Sequence, residues 1–181
     1  MKDDLEFGEL IVFSSGLGWM ALEVQGEAIR RLSFGHPSAA AAIRAVAPGQ
    51  SASRRLTPWQ RNVVERLQWY AEGEEVEFRD LPVDLGISTD FQARVLKACR
   101  EIAYGRTASY GELAAAAHRP GAARAVGNCM ARNRVPLIIP CHRVVLAGGD
   151  IGPYSAAGGS ATKRRLLKME AVACSAGRQS R

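Results

Sequence analysis

The run Leu137-Ile138-Ile139-Pro140-Cys141-His142-Arg143-Val144-Val145 constrains this chain more than any other stretch. Aliphatic residues lead to a proline, and the proline delivers one cysteine with a histidine directly beside it. An apolar approach of this kind predicts a buried strand or strand-like segment. Pro140 then ends regular pairing, because it lacks an N–H and fixes φ. A thiol at the end of such a segment is either inert packing, as most free cysteines are, or a nucleophile whose thiolate a nearby base makes available. Cys141-His142 taken alone is compatible with both.

The surroundings narrow the choice. The chain has 181 residues, 47% of them hydrophobic, enough for one domain or two small ones with a buried core. No apolar run approaches the roughly 18 residues of a membrane span. The opening residues lack the basic-then-apolar order of a signal peptide, so none is expected. Cys99, Cys129, Cys141 and Cys174 are spaced widely and irregularly. A disulfide framework is therefore not expected, and a reducing compartment is. With no CxxC pair and with His36, His118 and His142 scattered, no metal site is expected either.

Charge is unevenly placed. Residues 1–90 carry nine Lys/Arg against fourteen Asp/Glu, a balance of −5. Residues 91–181 carry fifteen against four, a balance of +11, and they contain Cys141. A strongly basic half points to a polyanionic partner, nucleic acid first, against the alternative of a merely solvated basic surface.

Residues 6–34 predict a β-meander with turns at Ser14–Gly18 and Gly26-Glu27. Residues 36–55 predict a weak helix and a loop. Thr57-Pro58 supplies an N-cap and a first-turn proline for a helix carrying Val63, Val64, Leu67 and Tyr70 on one face. A second helix opens near Thr89-Asp90 and sets Phe91, Val95, Leu96, Cys99 and Ile102 at helical spacing, which makes Cys99 a packing residue. Ser109-Tyr110-Gly111-Glu112 is a capping box for a short helix. Arg119-Pro120-Gly121 breaks it, and Ala122-Ala123-Arg124-Ala125-Val126-Gly127 begins another. Two short helices about a tight turn predict a helix-turn-helix. The second starts almost entirely in alanine, which lets a backbone approach a DNA groove or, equally, pack tightly in a core. A final helix over Ala161–Ala171 is expected to carry Lys163, Arg164, Arg165 and Lys168 on its polar side. The expected domains are 1–86 (α/β), 87–174 (mostly α) and a disordered tail over 175–181.

Residues 91–170 resemble the O6-alkylguanine-DNA alkyltransferase (methylated-DNA–protein-cysteine methyltransferase) family. The matching blocks keep the family's order: Phe91-Gln92, Tyr104-Gly105, Ser109–Ala114, Ala122–Gly127, Asn133, Ile139–Val145, Tyr154-Ser155, Lys163, and Leu166-Leu167 through Glu170. The N-terminal part matches more loosely, through the Ser15–Gly18 turn. The resemblance implies a ribonuclease-H-like α/β N-terminal domain and a mostly α C-terminal domain with a helix-turn-helix. Two departures stand out. Arg134 occupies the place of the family's usual proline after the asparagine, and Ala156-Ala157 lengthen the loop before Gly158-Gly159.

The implied activity is DNA repair by direct reversal. An alkyl group moves irreversibly and stoichiometrically from O6-alkylguanine to the protein's own cysteine, with O4-alkylthymine as a further candidate lesion. The base must be flipped out first, because its O6 substituent cannot reach a thiol while stacked. By the motif, Cys141 is the acceptor, His142 deprotonates it through a water and Glu170 holds the histidine. Tyr110 protonates the leaving guanine at N3, which a phenol with pKa about 10 can do once anionic character develops. Arg124 fills the space left by the base, with Ala122, Ala123 and Tyr110 also on the DNA side. Asn133 braces the turn before the active-site segment. The carbonyls of Cys141 and Val144 and the Ser155 N–H read the guanine edge, and Tyr154 lines the pocket. No cofactor and no metal are implied. The partner is double-stranded DNA carrying the lesion, with no membrane and no obligate protein partner, the protein being a monomer. The compartment is the prokaryotic cytoplasm with its nucleoid, or the nucleus of a eukaryote.

Two other classes compete with this reading. Alkyltransferase-like lesion sensors lack the acceptor cysteine, which is present here. An unrelated Cys-His hydrolase has no use for the alanine-rich helix carrying Arg124. A phosphatase loop wants arginine six positions after the cysteine, where Ala147 stands.

Overall fold

The computed structural model describes residues 8–86 and 89–179. The chain forms two compact units. One comprises residues up to Glu72 together with Leu81–Leu85, and the other Gly73–Asp80 together with everything from Gly86 onward.

In the first unit, β1 (Glu9–Ser15), β2 (Gly18–Gln25) and β3 (Ala28–His36) form an antiparallel sheet in the order β1-β2-β3. The predicted meander is thus observed. Gly26 closes the second hairpin at φ +58°, a left-handed value that a two-residue turn demands and glycine adopts without strain. Consecutive residues Met20, Ala21 and Leu22 are all fully buried, so both faces of β2 are covered. Helix α1 (Ala39–Val46) packs Ala42, Val46 and Ala47 against Leu10 and Ala21 on one face. Helix α2 (Pro58–Ala71) begins with the expected capping box, Thr57 with Gln60, and buries Val63, Val64, Leu67 and Tyr70 as its spacing predicted. Residues 82–84 dock along the outer edge of β3 through Ile29 N–H to Pro82 O (3.0 Å) and Asp84 N–H to Ile29 O (2.9 Å), which blunts that edge.

The second unit is mostly helical. Helix α3 (Asp90–Arg100), capped by Thr89, buries Val95, Leu96 and Cys99, which places Cys99 in the core as expected. The short strand β4 (Ala108–Ser109) runs parallel to β5 (Val144–Val145). Helix α4 (Tyr110–Ala116) carries the predicted Ser109–Glu112 capping box. The chain turns at His118 (φ +58°) and enters α5 (Ala123–Ala131). Helices α3, α4 and α5 pack on one another, and α6 (Gly159–Gln179) packs on the 3-10 turn Cys141–Arg143.

Three expectations need correcting. Leu137–Ile139 is buried but is not a strand. Leu137 sits at φ +72°, and Ile139 N–H bonds back to Val135 O at 2.9 Å, so a tight turn satisfies the backbone locally. Lys163 does not lie on the polar side of α6. It is fully buried, whereas Arg164, Arg165 and Lys168 are exposed. The expected disordered tail is helical through Gln179, because no proline or turn signal interrupts the chain after Leu166; residues 180–181 lie outside the described residues. Among the described residues no helix is long and apolar enough to cross a membrane.

Candidate active site

Cys141 opens a 3-10 turn directly after Pro140, and its side chain is 4% exposed. It forms part of the floor of a mostly apolar cavity of about 890 Å³ in the second unit. Tyr110, Ala123, Arg124, Tyr154 and Ser155 line the same cavity. Five positions singled out from three separate stretches of sequence therefore meet Cys141 around one space. Ala122 stands one residue before α5, and Val144 is buried in β5; neither is among the residues lining the cavity.

Asn133 does more than brace a turn. Its Nδ2 donates to Ile139 O at 2.8 Å and to Cys141 Sγ at 3.1 Å, while its Oδ1 accepts the Val135 N–H at 3.1 Å. One side chain thus ties the turn at 133–135 to the loop that presents the thiol, and it touches the thiol itself.

Behind the floor lies a polar network without solvent access. His142 and Glu170 are both fully buried, and His142 Nε2 meets Glu170 Oε1 at 2.8 Å. The same carboxylate accepts Gly105 N–H at 3.0 Å and is clamped by Arg143, whose Nε reaches both oxygens (3.2 and 3.1 Å) and whose Nη2 reaches Oε1 (3.0 Å). Burial opposes ionisation of Glu170, but the His142 and Arg143 contacts win and pull its pKa down to about 2. With Glu170 ionised, the Nε2–H tautomer of His142 donates to it, and Nδ1 becomes the proton-accepting nitrogen.

Electrostatics set the resting forms. Burial pushes the Cys141 thiol up, against the opposing pull of the Asn133 amide, the Lys163 charge, the backbone N–H and the Tyr154 phenol. Burial also lowers the His142 pKa, against the opposing pull of Glu170. At neutral pH the pair therefore rests as thiol and neutral imidazole, an acid beside a base. Burial raises the pKa of Tyr110, as does proximity to Cys141, so its phenol keeps its proton.

Sequence reading assigned no role to Arg143 or Lys163. Lys163 Nζ donates to Val144 O and, at 3.4 Å, to Pro153 O, and it lies 5.8 Å from the centre of the Tyr110 ring. One signal was available, since Lys163, Leu166 and Glu170 fall at i, i+3 and i+7, one helical stripe. Arg143 had no local signal, because its partner is 27 residues away. The lengthened loop is pinned by the start of α6, through Ser160 Oγ to Gly152 O (3.0 Å) and Thr162 Oγ1 to Ala157 O (2.6 Å). Arg134 is exposed, and the turn it occupies is held by Asn133. Arg124 and Ser155 are exposed at the cavity, where a ligand can reach them.

Residues 90–172 match the family model described as 6-O-methylguanine DNA methyltransferase, DNA binding domain. A methylated-DNA–protein-cysteine methyltransferase of Mycobacterium bovis is 49% identical over 107 residues, 59% of this chain and 62% of the relative's own length. One from Mycolicibacterium paratuberculosis is 42% identical over 120 residues, 63% of this chain and 70% of the relative. The structural likeness reaches further. A crystal structure of Mycobacterium tuberculosis OGT in complex with DNA superposes with a TM-score of 0.74 at 36% identity, covering 91% of this chain and 94% of that one. An O6-methylguanine-DNA methyltransferase from the archaeon Pyrococcus kodakaraensis superposes with a TM-score of 0.62 at 26% identity, covering 90% and 98%.

Proposed function

The chain belongs to the methylated-DNA–protein-cysteine methyltransferase family, and from that premise we propose that it repairs DNA by moving the alkyl group of O6-alkylguanine onto Cys141. The observation that carries the reading is the single cavity that gathers Cys141, Tyr110, Arg124, Tyr154 and Ser155. Helices α4 and α5 act as the helix-turn-helix, with the alanine-rich start of α5 against the duplex and Arg124 entering the stack as the damaged base leaves it. The first unit is the ribonuclease-H-like part. Residues 1–86 and 87–174 serve as the two working domains. The protein acts as a monomer on double-stranded DNA, in the cytoplasm with the nucleoid or in a nucleus.

In the reaction, His142 takes the Cys141 proton at Nδ1 through a bridging water while Glu170 holds the ring. The thiolate attacks the alkyl carbon. A C–S bond forms as the C–O bond breaks, and the electron pair passes into the guanine ring. Tyr110 delivers a proton to N3, so guanine leaves neutral, and the proton held on His142 then returns to the Tyr110 phenolate. The Cys141 and Val144 carbonyls serve the guanine amino group. Each already accepts one bond, from the Val144 N–H and from Lys163 respectively, which fixes their direction and leaves a second lone pair. The thioether product does not revert, so each molecule reacts once. No cofactor takes part.

The test is a mass measurement. Incubation with duplex DNA carrying O6-methylguanine is expected to add one methyl group to the peptide containing Cys141. An unmodified Cys141, or methylation mainly at Cys99, Cys129 or Cys174, overturns the reading. Arg124→Ala is expected to slow transfer from duplex DNA more than transfer from a free alkylated base. Equal losses on both substrates remove the finger role.

A further inference from the structure

Glu170 is not a simple partner of His142, because most of its hydrogen-bonding capacity is spent on Arg143. Nε bridges both carboxylate oxygens, Nη2 adds a third contact, and Gly105 N–H takes Oε2. Arg143 is 3% exposed and is fixed independently of Glu170. Its Nη1 donates to Ile102 O at 2.7 Å, and its guanidinium lies 5.5 Å from the centre of the Tyr104 ring. Tyr104 is held in turn by its hydroxyl on Gly73 O (3.1 Å) and by its N–H on Glu77 (3.2 Å). The planar fork therefore meets a carboxylate in a fixed frame, where a flexible ammonium could not match both oxygens.

A buried histidine beside an unpaired carboxylate is drawn toward imidazolium, because the ion pair satisfies both groups. An imidazolium cannot accept a thiol proton. Here the carboxylate charge is shared with Arg143, so Glu170 draws His142 toward imidazolium less strongly than an unshared carboxylate would. The groups facing this centre are Glu170 and Lys163 from α6, Cys141 and Arg143 from the 3-10 turn, and Tyr104 from the segment before β4; Cys99 of α3 packs nearby. Lys163 and Arg143 both disfavour a charge on His142, and Glu170 alone favours it.

We infer that Arg143 is a positioning residue for alkyl transfer, which offsets the Glu170 charge so that the carboxylate orients His142 without drawing it into the imidazolium form. The inference rests on the reading that Cys141 accepts the alkyl group through His142. Arg143 touches no substrate atom and acts through Glu170.

The experiment is the single-turnover rate of methylation of Cys141 against pH for the full chain, Arg143→Gln and Arg143→Lys. The rate requires neutral His142, so it falls as pH drops through the pKa of the Cys141–His142 pair. Removing a charge at this range moves a neighbouring pKa by about one unit or more. Arg143→Gln is therefore expected to carry the acidic limb upward by about one pH unit, a roughly tenfold loss on that limb beyond any uniform loss. Arg143→Lys keeps the charge and is expected to keep the limb in place while lowering the rate at every pH. A uniform loss in Arg143→Gln with an unmoved limb overturns the inference and leaves Arg143 a structural residue. If Arg143→Gln does not fold, the His142 ring nitrogens in the unsubstituted protein, followed by 15N NMR against pH, decide the matter. A neutral ring at pH 7 supports the inference and an imidazolium overturns it. That spectrum does not depend on DNA, so a failure of Cys141 to become methylated is distinguishable from a failure of the clamp.

Discussion

Asn133→Ala separates holding the thiol from activating it. The substitution removes three hydrogen bonds, to Ile139 O (2.8 Å), to Cys141 Sγ (3.1 Å) and from Val135 N–H (3.1 Å). Val135 is fully buried, so its N–H loses a partner without gaining water, at a cost of about 1–3 kcal/mol. Ile139 O keeps a second donor in the Cys141 N–H (2.8 Å), so its loss is an ordinary net bond of about 0.5–1.5 kcal/mol. The expected destabilisation is about 2–4 kcal/mol, or roughly 5–12 °C in Tm for a chain of this size. The thiol contact is read separately. A hydrogen bond to a charged acceptor is worth about 1.5–3 kcal/mol, so a thiolate deprived of it forms about ten- to a hundredfold less often. Single-turnover methylation at neutral pH, well below the melting range, is expected to slow by that factor. Asn133→Asp retains the acceptor for Val135 N–H but sets a carboxylate against the thiolate, so its rate is expected to fall below that of Asn133→Ala. A destabilised Asn133→Ala with an unchanged rate refutes the activating contact, and an unchanged Tm refutes the brace.

Two further outcomes follow from the buried network. Glu170 is held at about 2 in the fold against an ordinary 4.5, so its contribution is complete above pH 4.5 and is lost as pH falls toward 2. It is worth on the order of 3 kcal/mol. His142, lowered from 6.5 by burial, adds an earlier loss as pH falls below 6.5, because the unfolded chain binds that proton more readily. Denaturant titrations from pH 7 to 3 are expected to show stability falling with acid, with the lower part of the slope absent in Glu170→Gln; an identical slope in both proteins contradicts this account. Gly105→Ala tests the other donor to the carboxylate. Gly105 sits at φ +68°, where a side chain costs about 1–3 kcal/mol, and an added Cβ would stand 2.3 Å from Cys174 Sγ. Thermal unfolding is expected to show a loss of that size or more, with part recovered in Gly105→Ala/Cys174→Ala; no recovery means the backbone strain is the whole cost.

What was legible in the sequence was local chemistry. Thr57-Pro58 and the Ser109–Glu112 box marked two helix starts correctly, because a cap is specified by residues three apart. The convergence of Tyr110, Arg124 and Cys141 on one cavity was legible only through the family pattern. What stayed hidden depends on burial and on distant partners. The Leu137–Ile139 run has the composition of a strand, and only the left-handed Leu137 and the Asn133 side chain turn it into a loop. Lys163 has the composition of a surface residue, and the Val144 and Pro153 carbonyls make it a buried one. Arg143 follows Cys141-His142 in an obvious motif, yet the partners that hold it are Glu170 and Ile102, at separations of 27 and 41 residues.

Burial of the thiol sets the logic of the proposed reaction. Desolvation holds Cys141 protonated, and desolvation holds His142 neutral, so the resting site avoids an isolated charge in a low-dielectric interior. Proton transfer from one to the other creates a thiolate–imidazolium pair that the same interior strongly favours over either ion alone, and the fixed donors around it need no reorganisation. Asn133 and Lys163 bear on the anion, and Glu170 bears on the cation. An unsolvated thiolate is a stronger nucleophile than a hydrated one, and a base filling the cavity would displace the bulk water that hydrates it. The buried, protonated thiol is the less reactive form, so Cys141 is shielded from chance alkylation and oxidation, as the proposed single-use reaction requires. The consequence is measurable. Without DNA, Cys141 should react with iodoacetamide more slowly than the partly exposed Cys129, and duplex carrying a flipped O6-methylguanine should reverse that order for the methyl group alone.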